Sequence, residues 1–120
     1  MYGEPPAGAA GVPRHGTYRF VSCRTALNVT VGPTLSASLN PYRGCSHCCL
    51  YCYVYAEKYS RAASPAEFFA CVGVKRNLTE RLAAQVGRLR ERCPRGTVYV
   101  GSATDPYQPV ERLFRLTRRS

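Results

Sequence analysis

Hydrophobic side chains recur along the chain with two periods, which predict strands at residues 18–23, 68–74 and 97–101 and a helix between the last two. Residues 18–23 alternate between apolar and polar side chains, as in a short edge strand. Residues 68–74 and 97–101 are almost continuously apolar, which is typical of strands buried on both faces of a parallel sheet. In the helix, apolar residues recur on one face: Leu78, Leu82, Val86 and Leu89.

Capping and turn residues bound this helix. Asn77, an N-cap residue type, precedes it, and Glu80 follows three positions later, as in a variant of the capping box. Residues 94–96, Pro-Arg-Gly, end it. The order strand, helix, strand predicts a right-handed βαβ unit. Ligand sites in such sheets lie at the carboxyl ends of the strands, so we expect the site there.

The remaining stretches are predicted to connect or flank these elements. Residues 1–17 are rich in Gly, Pro and Ala, and we expect a disordered or loosely attached N-terminus ahead of one domain at 18–120. Residues 28–38 are predicted to form a connecting loop. Residues 54–59 can begin a helix, and Ser64-Pro65 breaks the chain before the next strand.

The cysteines are concentrated in one short stretch. Four of the seven lie within residues 45–52, and Cys45, Cys49 and Cys52 have the spacing C-x3-C-x2-C. Cysteine thiolates are the usual ligands of iron–sulfur clusters. Three of them on one loop can bind three corners of a four-iron cube, which leaves one iron open for chemistry.

Zinc is the competing interpretation of these cysteines. Cys45 pairs with Cys48, and Cys49 with Cys52, as two C-x2-C units, and four thiolates make a closed structural zinc site. Such pairs usually lie about 12–20 residues apart so that two loops can converge on the metal. Here they abut, which favours the cluster and leaves Cys48 as a bystander thiol or a competitor for iron.

Other thiol and imidazole groups have simpler predicted roles. His47, between the candidate ligands, is expected to form hydrogen bonds within the loop, with metal ligation as the alternative. Cys71 lies in an apolar run and is expected to behave as a small hydrophobic residue. Cys23 and Cys93 are expected to be structural too.

Charge and hydropathy limit the partners and the compartment. The chain has 17 Lys and Arg against 7 Asp and Glu, a formal net charge of +10, which favours polyanions such as nucleic acid. A generally arginine-rich proteome is the alternative reason for this balance. No apolar run approaches the roughly 20 residues of a membrane span, and no signal peptide is apparent. We therefore expect a cytoplasmic protein that does not associate with membranes.

Two blocks carry a resemblance to a known family. Residues 45–52, Cys-Ser-His-Cys-Cys-Leu-Tyr-Cys, resemble the cluster loop of the radical S-adenosylmethionine (SAM) superfamily. The longer run 40–53, which opens with Asn-Pro-Tyr-Arg-Gly-Cys, resembles the branch of spore photoproduct lyase and the DNA-repair-photolyase-like proteins. Residues 101–111, Gly-Ser-Ala-Thr-Asp-Pro-Tyr-Gln-Pro-Val-Glu, resemble the same branch at a later strand end. The family usually has Gly or Ala where this chain has Cys48.

The resemblance implies an α/β fold, the N-terminal portion of a partial (β/α) TIM-like barrel. Residues 35–39 would be its first strand. A full barrel takes about 250 residues, so the chain is expected to be truncated, with a second chain as a candidate for completing the barrel.

The resemblance also implies a site. Cys45, Cys49 and Cys52 would bind a [4Fe–4S] cluster, and SAM would bind its open iron and yield a 5′-deoxyadenosyl radical. Tyr51 and Tyr53 would lie beside the adenine. Further candidate contacts to SAM follow the later strands or flank the cluster: Thr104, Asp105, Lys75 and Arg43. Glu111 is expected to contribute less, as a surface ion pair beside Arg112.

The implied function is a lyase-like radical SAM enzyme of DNA repair, supplied with electrons by a flavodoxin or ferredoxin. The tyrosines near the loop beside basic residues are also typical of surfaces that stack bases. The alternative function is a non-catalytic iron–sulfur or zinc module that interacts with nucleic acid.

Overall fold

The computed structural model describes residues 17–30, 36–56, 65–92 and 94–120. In chain order the elements are β1 (Thr17–Val21), β2 (Leu27–Thr30), β3 (Ser36–Leu39), β4 (Tyr42–Arg43), α1 (Tyr53–Ala56), α2 (Pro65–Ala70), β5 (Cys71–Lys75), α3 (Leu78–Arg92), β6 (Thr97–Val100), α4 (Glu111–Phe114) and α5 (Leu116–Arg119). The loosely attached N-terminus predicted at residues 1–17 lies outside the described residues, except for Thr17, which begins β1.

One sheet has the strand order β1-β5-β4. The central strand β5 runs parallel to β1, with Tyr18 opposite Val72, and antiparallel to the short β4, with Tyr42 opposite Val74. The middle of β5 is buried, and its Val72 and Val74 side chains belong to the hydrophobic core. This sheet therefore fixes β4, and with it the start of the cysteine-rich stretch.

The second sheet has the order β2-β3-β6, with β2 antiparallel and β6 parallel to β3. Leu39 lies opposite Val100 at the carboxyl ends of β3 and β6. Both strands end at the same edge of the sheet, so the segments that follow them emerge close together.

Helix α3 joins the two sheets. Leu78 at its start is fully buried, and Leu82 and Leu89 pack against the core. The Gln85 side chain accepts hydrogen bonds from the backbone N–H groups of Ala26 (2.6 Å) and Leu27 (3.1 Å), which ties α3 to the start of β2. The helical period predicted this element, but its apolar face is buried unevenly: Leu78 is buried, Leu82 and Leu89 are partly buried, and Val86 is 43% exposed.

Most predicted elements are confirmed, with shifted bounds. β1, β3, α3 and β6 lie where residues 18–23, 35–39, the helical period and residues 97–101 predict them. α1 begins the helix predicted at 54–59, whose end lies outside the described residues. Asn77 precedes α3 as expected, but its side chain bonds Cys23: Oδ1 accepts from the Cys23 N–H and Nδ2 donates to the Cys23 carbonyl, both at 2.9 Å.

Three expectations are wrong in their local detail. The apolar run 68–74 is divided, since its first three residues end α2 and the strand begins at Cys71. An apolar run alone does not distinguish a strand from a buried helical turn. Residues 28–30, predicted as loop, belong to β2, an edge strand whose polar side chains lie exposed. β6 is exposed along its whole length, although its sequence is that of a buried strand.

The predicted βαβ unit is also corrected. β5 and β6 flank α3 in the chain, but they lie in different sheets in the part of the chain that is described. β6 instead pairs with β3, and β5 with β1 and β4. The partial barrel stays a prediction. No helix among the described residues is long and apolar enough to cross a membrane.

Candidate functional site

The cysteine-rich stretch forms a loop, residues 44–52, which we call the cysteine loop. It begins directly after β4 at Gly44, whose φ of +80° lies in the left-handed region. A Cβ at this position would lie 2.6 Å from the carbonyl oxygen of Phe68, so glycine is required. The next residue, Cys45, donates its backbone N–H to the same oxygen at 3.1 Å. The loop is thereby anchored to α2.

A second segment, residues 101–111, holds the cysteine loop from the other side, and we call it the brace. The Gly44 carbonyl accepts hydrogen bonds from the Thr104 hydroxyl (2.6 Å) and the Gln108 amide (3.1 Å). The Gln108 oxygen accepts the backbone N–H of Ser46 at 3.2 Å, and its amide also donates to the Thr104 hydroxyl at 2.9 Å. Gln108 is fully buried. One glutamine side chain thus satisfies polar groups of both segments.

Asn40 links the ends of β3 and β6 to the same assembly. Its side chain donates to the Ser102 hydroxyl (3.1 Å) and accepts the backbone N–H of Ala103 (2.7 Å). Lys75, at the end of β5, donates to the Asn40 carbonyl at 2.5 Å. Asn40 therefore ties the start of the brace to the carboxyl ends of β3, β5 and β6, where that block was expected. The expected position is wrong for the cysteine loop: it leaves β4, which runs antiparallel to β5, and so begins at the amino end of β5, beside the end of α2.

A buried pair of polar side chains closes the far end of the brace. The Tyr42 hydroxyl donates to the Glu111 carboxylate, which also accepts the backbone N–H groups of Thr117 and Arg118, both at 3.1 Å. These N–H groups belong to the first turn of α5, so Glu111 caps that helix. The expectation that Glu111 forms a surface ion pair with Arg112 is wrong, because Glu111 is buried.

The candidate ligands are partly exposed. Cys45, Cys49 and Cys52 are each half-buried, and the Cys52 N–H donates to the Cys49 carbonyl at 3.1 Å. Burial raises the pKa of the Cys45 thiol; backbone N–H groups of His47 and Asp105 oppose the rise, and the charges of Asp105 and Cys49 add to it.

These residues match an iron–sulfur group in type, number and spacing. Hydrogen bonds from backbone N–H groups to a ligand sulfur, as at Cys45, are among the features that tune such clusters. Across the described ranges, however, no three side chains of His, Cys, Asp and Glu converge where a metal ion could bind. The fit is thus one of donor chemistry and loop position, and the thiols are not gathered around a preformed site.

Cys48 differs from its neighbours. It is exposed, and its φ of +51° lies in the left-handed region that favours glycine. A residue without a Cβ would relieve this strain, which gives a physical reason for a Gly at this place in the loop. Nothing in this geometry makes Cys48 a better ligand than Cys49.

His47 and Asp105 connect the cysteine loop to the brace at the surface. His47 Nε2 lies 3.1 Å from Asp105 Oδ2, so its described partner is in the brace and not within the loop, where it was expected. Asp105 Oδ1 accepts the Tyr107 N–H at 2.7 Å, as in a turn closed by an Asp side chain. Thr104 is buried with its hydroxyl engaged by Gly44 and Gln108. Contacts from Thr104 and Asp105 to SAM stay predictions.

The aromatic residues of the loop lie towards solvent. Tyr51 is 88% exposed and Tyr53 56% exposed, and the Tyr53 hydroxyl donates to the Ser102 carbonyl. Leu50, beside them, is fully exposed. Large apolar side chains exposed together are typical of surfaces that bind a ligand or a partner.

The remaining cysteines are separate from the loop. Cys23 is half-buried, and its thiol donates to Asn77 Oδ1 at 3.4 Å, consistent with a structural role. Cys71 is half-buried at the start of β5. Cys93 lies outside the described residues.

Sequence reasoning missed the roles of Gln108, Asn40 and Glu111. All three lie inside the two recognised blocks, but no role was predicted for Gln108 or Asn40, and Glu111 was expected at the surface. The available signal was polar residue types clustered beside apolar strands. Their burial depends on contacts across more than 60 residues of chain and cannot be deduced from local pattern.

The chain spans about a third of the length of the known proteins to which it is similar. Over 106 residues it is 36% identical to an uncharacterized protein of Mycobacterium tuberculosis and to one of Mycobacterium bovis. It is 29% identical over 98 residues to an uncharacterized protein of Methanocaldococcus jannaschii. These matches cover 83% and 82% of this chain but only 30% and 34% of the relatives. No protein-family model matches, and no solved structure matches significantly.

Proposed function

We propose that the chain is the N-terminal part of a radical SAM iron–sulfur protein of the spore photoproduct lyase and photolyase-like branch. The observation that carries the proposal is the junction of the cysteine loop and the brace. The two blocks of the resemblance lie about 60 residues apart in sequence and are joined through buried hydrogen bonds at Gly44. A loop of three cysteines fixed in this way suits a cluster that must be held beside a second ligand.

Cys45, Cys49 and Cys52 would hold a [4Fe–4S] cluster. When bound, such a cluster supplies one electron to SAM, whose cleavage yields a 5′-deoxyadenosyl radical. The residues of this chain bind and orient the group: Gln108 and Thr104 fix the loop backbone, and His47 with Asp105 closes its outer edge. Catalysis of this kind depends on placement and exclusion of water by the protein.

The side chains that are candidate contacts to SAM differ in their exposure to solvent. Tyr51 and Tyr53 present exposed rings next to Cys52, where an adenine could stack. Thr104 acts first as a positioning residue, since its hydroxyl donates to Gly44. Asp105 presents a half-exposed carboxylate that can accept from a ligand amine.

The unpaired edge of β6 in the described chain indicates a polypeptide partner. In the described part of the chain β6 pairs only with β3, and Val98, Tyr99 and Val100 are 43–59% exposed. Because the chain spans about a third of its relatives, we assign this apolar edge to further polypeptide, such as a second chain that completes the barrel. A flavodoxin or ferredoxin would donate the electron, and a reducing cytoplasm suits free thiols.

The second candidate is a non-catalytic iron–sulfur or zinc module that binds nucleic acid. The observation in its favour is the formal charge of +10. Its cysteines would then serve stability alone. Under the first proposal, the protein would repair DNA by a reaction like that of spore photoproduct lyase.

Metal analysis of cysteine variants tests the proposal. After anaerobic reconstitution, we expect about four irons and four sulfides per chain, lost in Cys45→Ala, Cys49→Ala and Cys52→Ala. Cys48→Ala, the matched control from the same loop, should retain them. Retention in Cys49→Ala with loss in Cys48→Ala would contradict the ligand set. One zinc per chain without sulfide would favour the second candidate.

A further inference from the structure

A cavity of about 760 Å³ lies at the base of the cysteine loop. One wall is formed by the connection between β1 and β2, and the other by β4 and the start of the loop at Gly44. Its volume falls within the range of about 300–1,000 Å³ that is typical of small-molecule sites. None of the candidate cluster ligands lines it.

Three cations from three different elements line this cavity. Arg24 comes from the connection after β1, Arg43 from β4 and Lys75 from the end of β5. Among the described lining residues there is no carboxylate. Lys75 is held in position by its bond to the Asn40 carbonyl, 2.5 Å away. The two guanidinium groups of Arg24 and Arg43 therefore give the cavity a positive character, in a chain that is already strongly basic.

The positive charge of the cavity favours some small-molecule ligands over others. SAM carries a sulfonium and an ammonium against one carboxylate, so its net positive charge disfavours it beside Arg24 and Arg43, against the expectation that Arg43 contacts SAM. A ligand with a single carboxylate would use only one of the two guanidinium groups. A phosphate ester bears up to two negative charges and several acceptor oxygens, and guanidinium groups present paired N–H donors to them. Thr25 and Asn28 line the same wall and can donate further hydrogen bonds.

We propose that this cavity binds a phosphate ester of nucleotide size, through lining residues that include none of the candidate cluster ligands. Arg24 and Arg43 supply the bidentate donors, and Lys75 lines the cavity beside them at the end of β5. The proposal depends on this cavity alone and stands whether or not the loop binds iron.

Isothermal titration of the metal-free, full chain with adenosine monophosphate tests this, with adenosine and SAM as the comparison ligands. We expect the monophosphate to bind at least about tenfold more tightly than adenosine or SAM, since one charge-assisted interaction is worth about that factor. Its affinity should fall as salt is raised. Arg24→Gln and Arg43→Gln should each weaken it about tenfold.

Arg81→Gln is the matched control, because Arg81 is an exposed arginine of α3 that does not line the cavity. It should leave the affinity unchanged. Equal weakening by Arg81→Gln would indicate diffuse surface charge and overturn the proposal, as would equal binding of adenosine. Urea unfolding of each variant verifies that affinity is compared between folded proteins. Cluster loss in the cysteine variants, by contrast, leaves this binding unchanged.

Discussion

The Gln108 side chain donates to the Gly44 carbonyl at 3.1 Å across 64 residues of sequence. Gly44 begins the cysteine loop and Gln108 lies in the brace, so this contact joins the two blocks on which the proposed function depends. It is completed by the bond from the Ser46 N–H to the other end of the same amide. The position of a cluster bound by the cysteine loop would therefore depend on this junction.

Gln108→Ala should therefore destabilise the fold and loosen the loop. The change removes three hydrogen bonds and a buried volume, and we expect a loss of about 3 kcal/mol in the free energy of unfolding. Urea unfolding of the metal-free protein measures it. Tyr107→Ala, whose side chain is 75% exposed, should change it by less than about 0.5 kcal/mol. Equal stability of the two variants would show that the brace does not hold the loop.

Cys48→Gly should stabilise the protein relative to Cys48→Ala. Both variants remove the thiol, but only glycine relieves the left-handed φ of +51°. We expect a difference of about 1 kcal/mol in the free energy of unfolding, with glycine the more stable. Thermal or urea unfolding of both variants measures this. A more stable alanine variant would mean that the loop does not hold this backbone conformation in solution.

The Tyr42–Glu111 pair predicts a change of stability at alkaline pH. Burial, and then the hydrogen bond and charge of Glu111, raise the pKa of Tyr42 far above its usual value. The folded state thus favours the protonated phenol, and this contribution is complete below the unfolded-state pKa of about 10. Above that pH the unfolded chain ionises first, so the contribution falls by about 1.4 kcal/mol per pH unit.

Comparison with Tyr42→Phe isolates this effect, because the other titrating groups are common to both proteins. Urea unfolding at pH 8 should show the wild type more stable by about 1.5–3 kcal/mol, the usual contribution of a hydrogen bond to a charged group. Between pH 10 and 11 the gap should narrow. A gap that stays constant from pH 8 to pH 11 would mean that Tyr42 is accessible to solvent in the folded state.

The elements that local pattern predicts well are those with local causes. α3 follows from an apolar stripe, and the spacing of Cys45, Cys49 and Cys52 belongs to one short loop. β2 was missed because an exposed edge strand with Asn28 and Thr30 has the composition of a loop. Its strand conformation comes from pairing with β3.

Burial was harder to predict than secondary structure, because it depends on what packs against each element. β6 has the composition of a buried strand but is exposed along the described chain. Glu111 is of a residue type that is usually exposed, but it is buried because Tyr42 and the first turn of α5 provide its hydrogen-bond donors. The two blocks were recognised from the sequence, while the residues that join them and the position of the cysteine loop at the amino end of β5 required the tertiary structure.

The central claim is that the braced cysteine loop binds a cluster with an iron open to SAM. EPR of the reduced protein after anaerobic reconstitution with iron and sulfide, recorded with and without SAM, tests it most directly. The account predicts a cluster signal whose shape changes when SAM is added, and its loss in Cys49→Ala but not in Cys48→Ala. A cluster signal that SAM leaves unchanged, or a protein that binds zinc and forms no cluster, would contradict it.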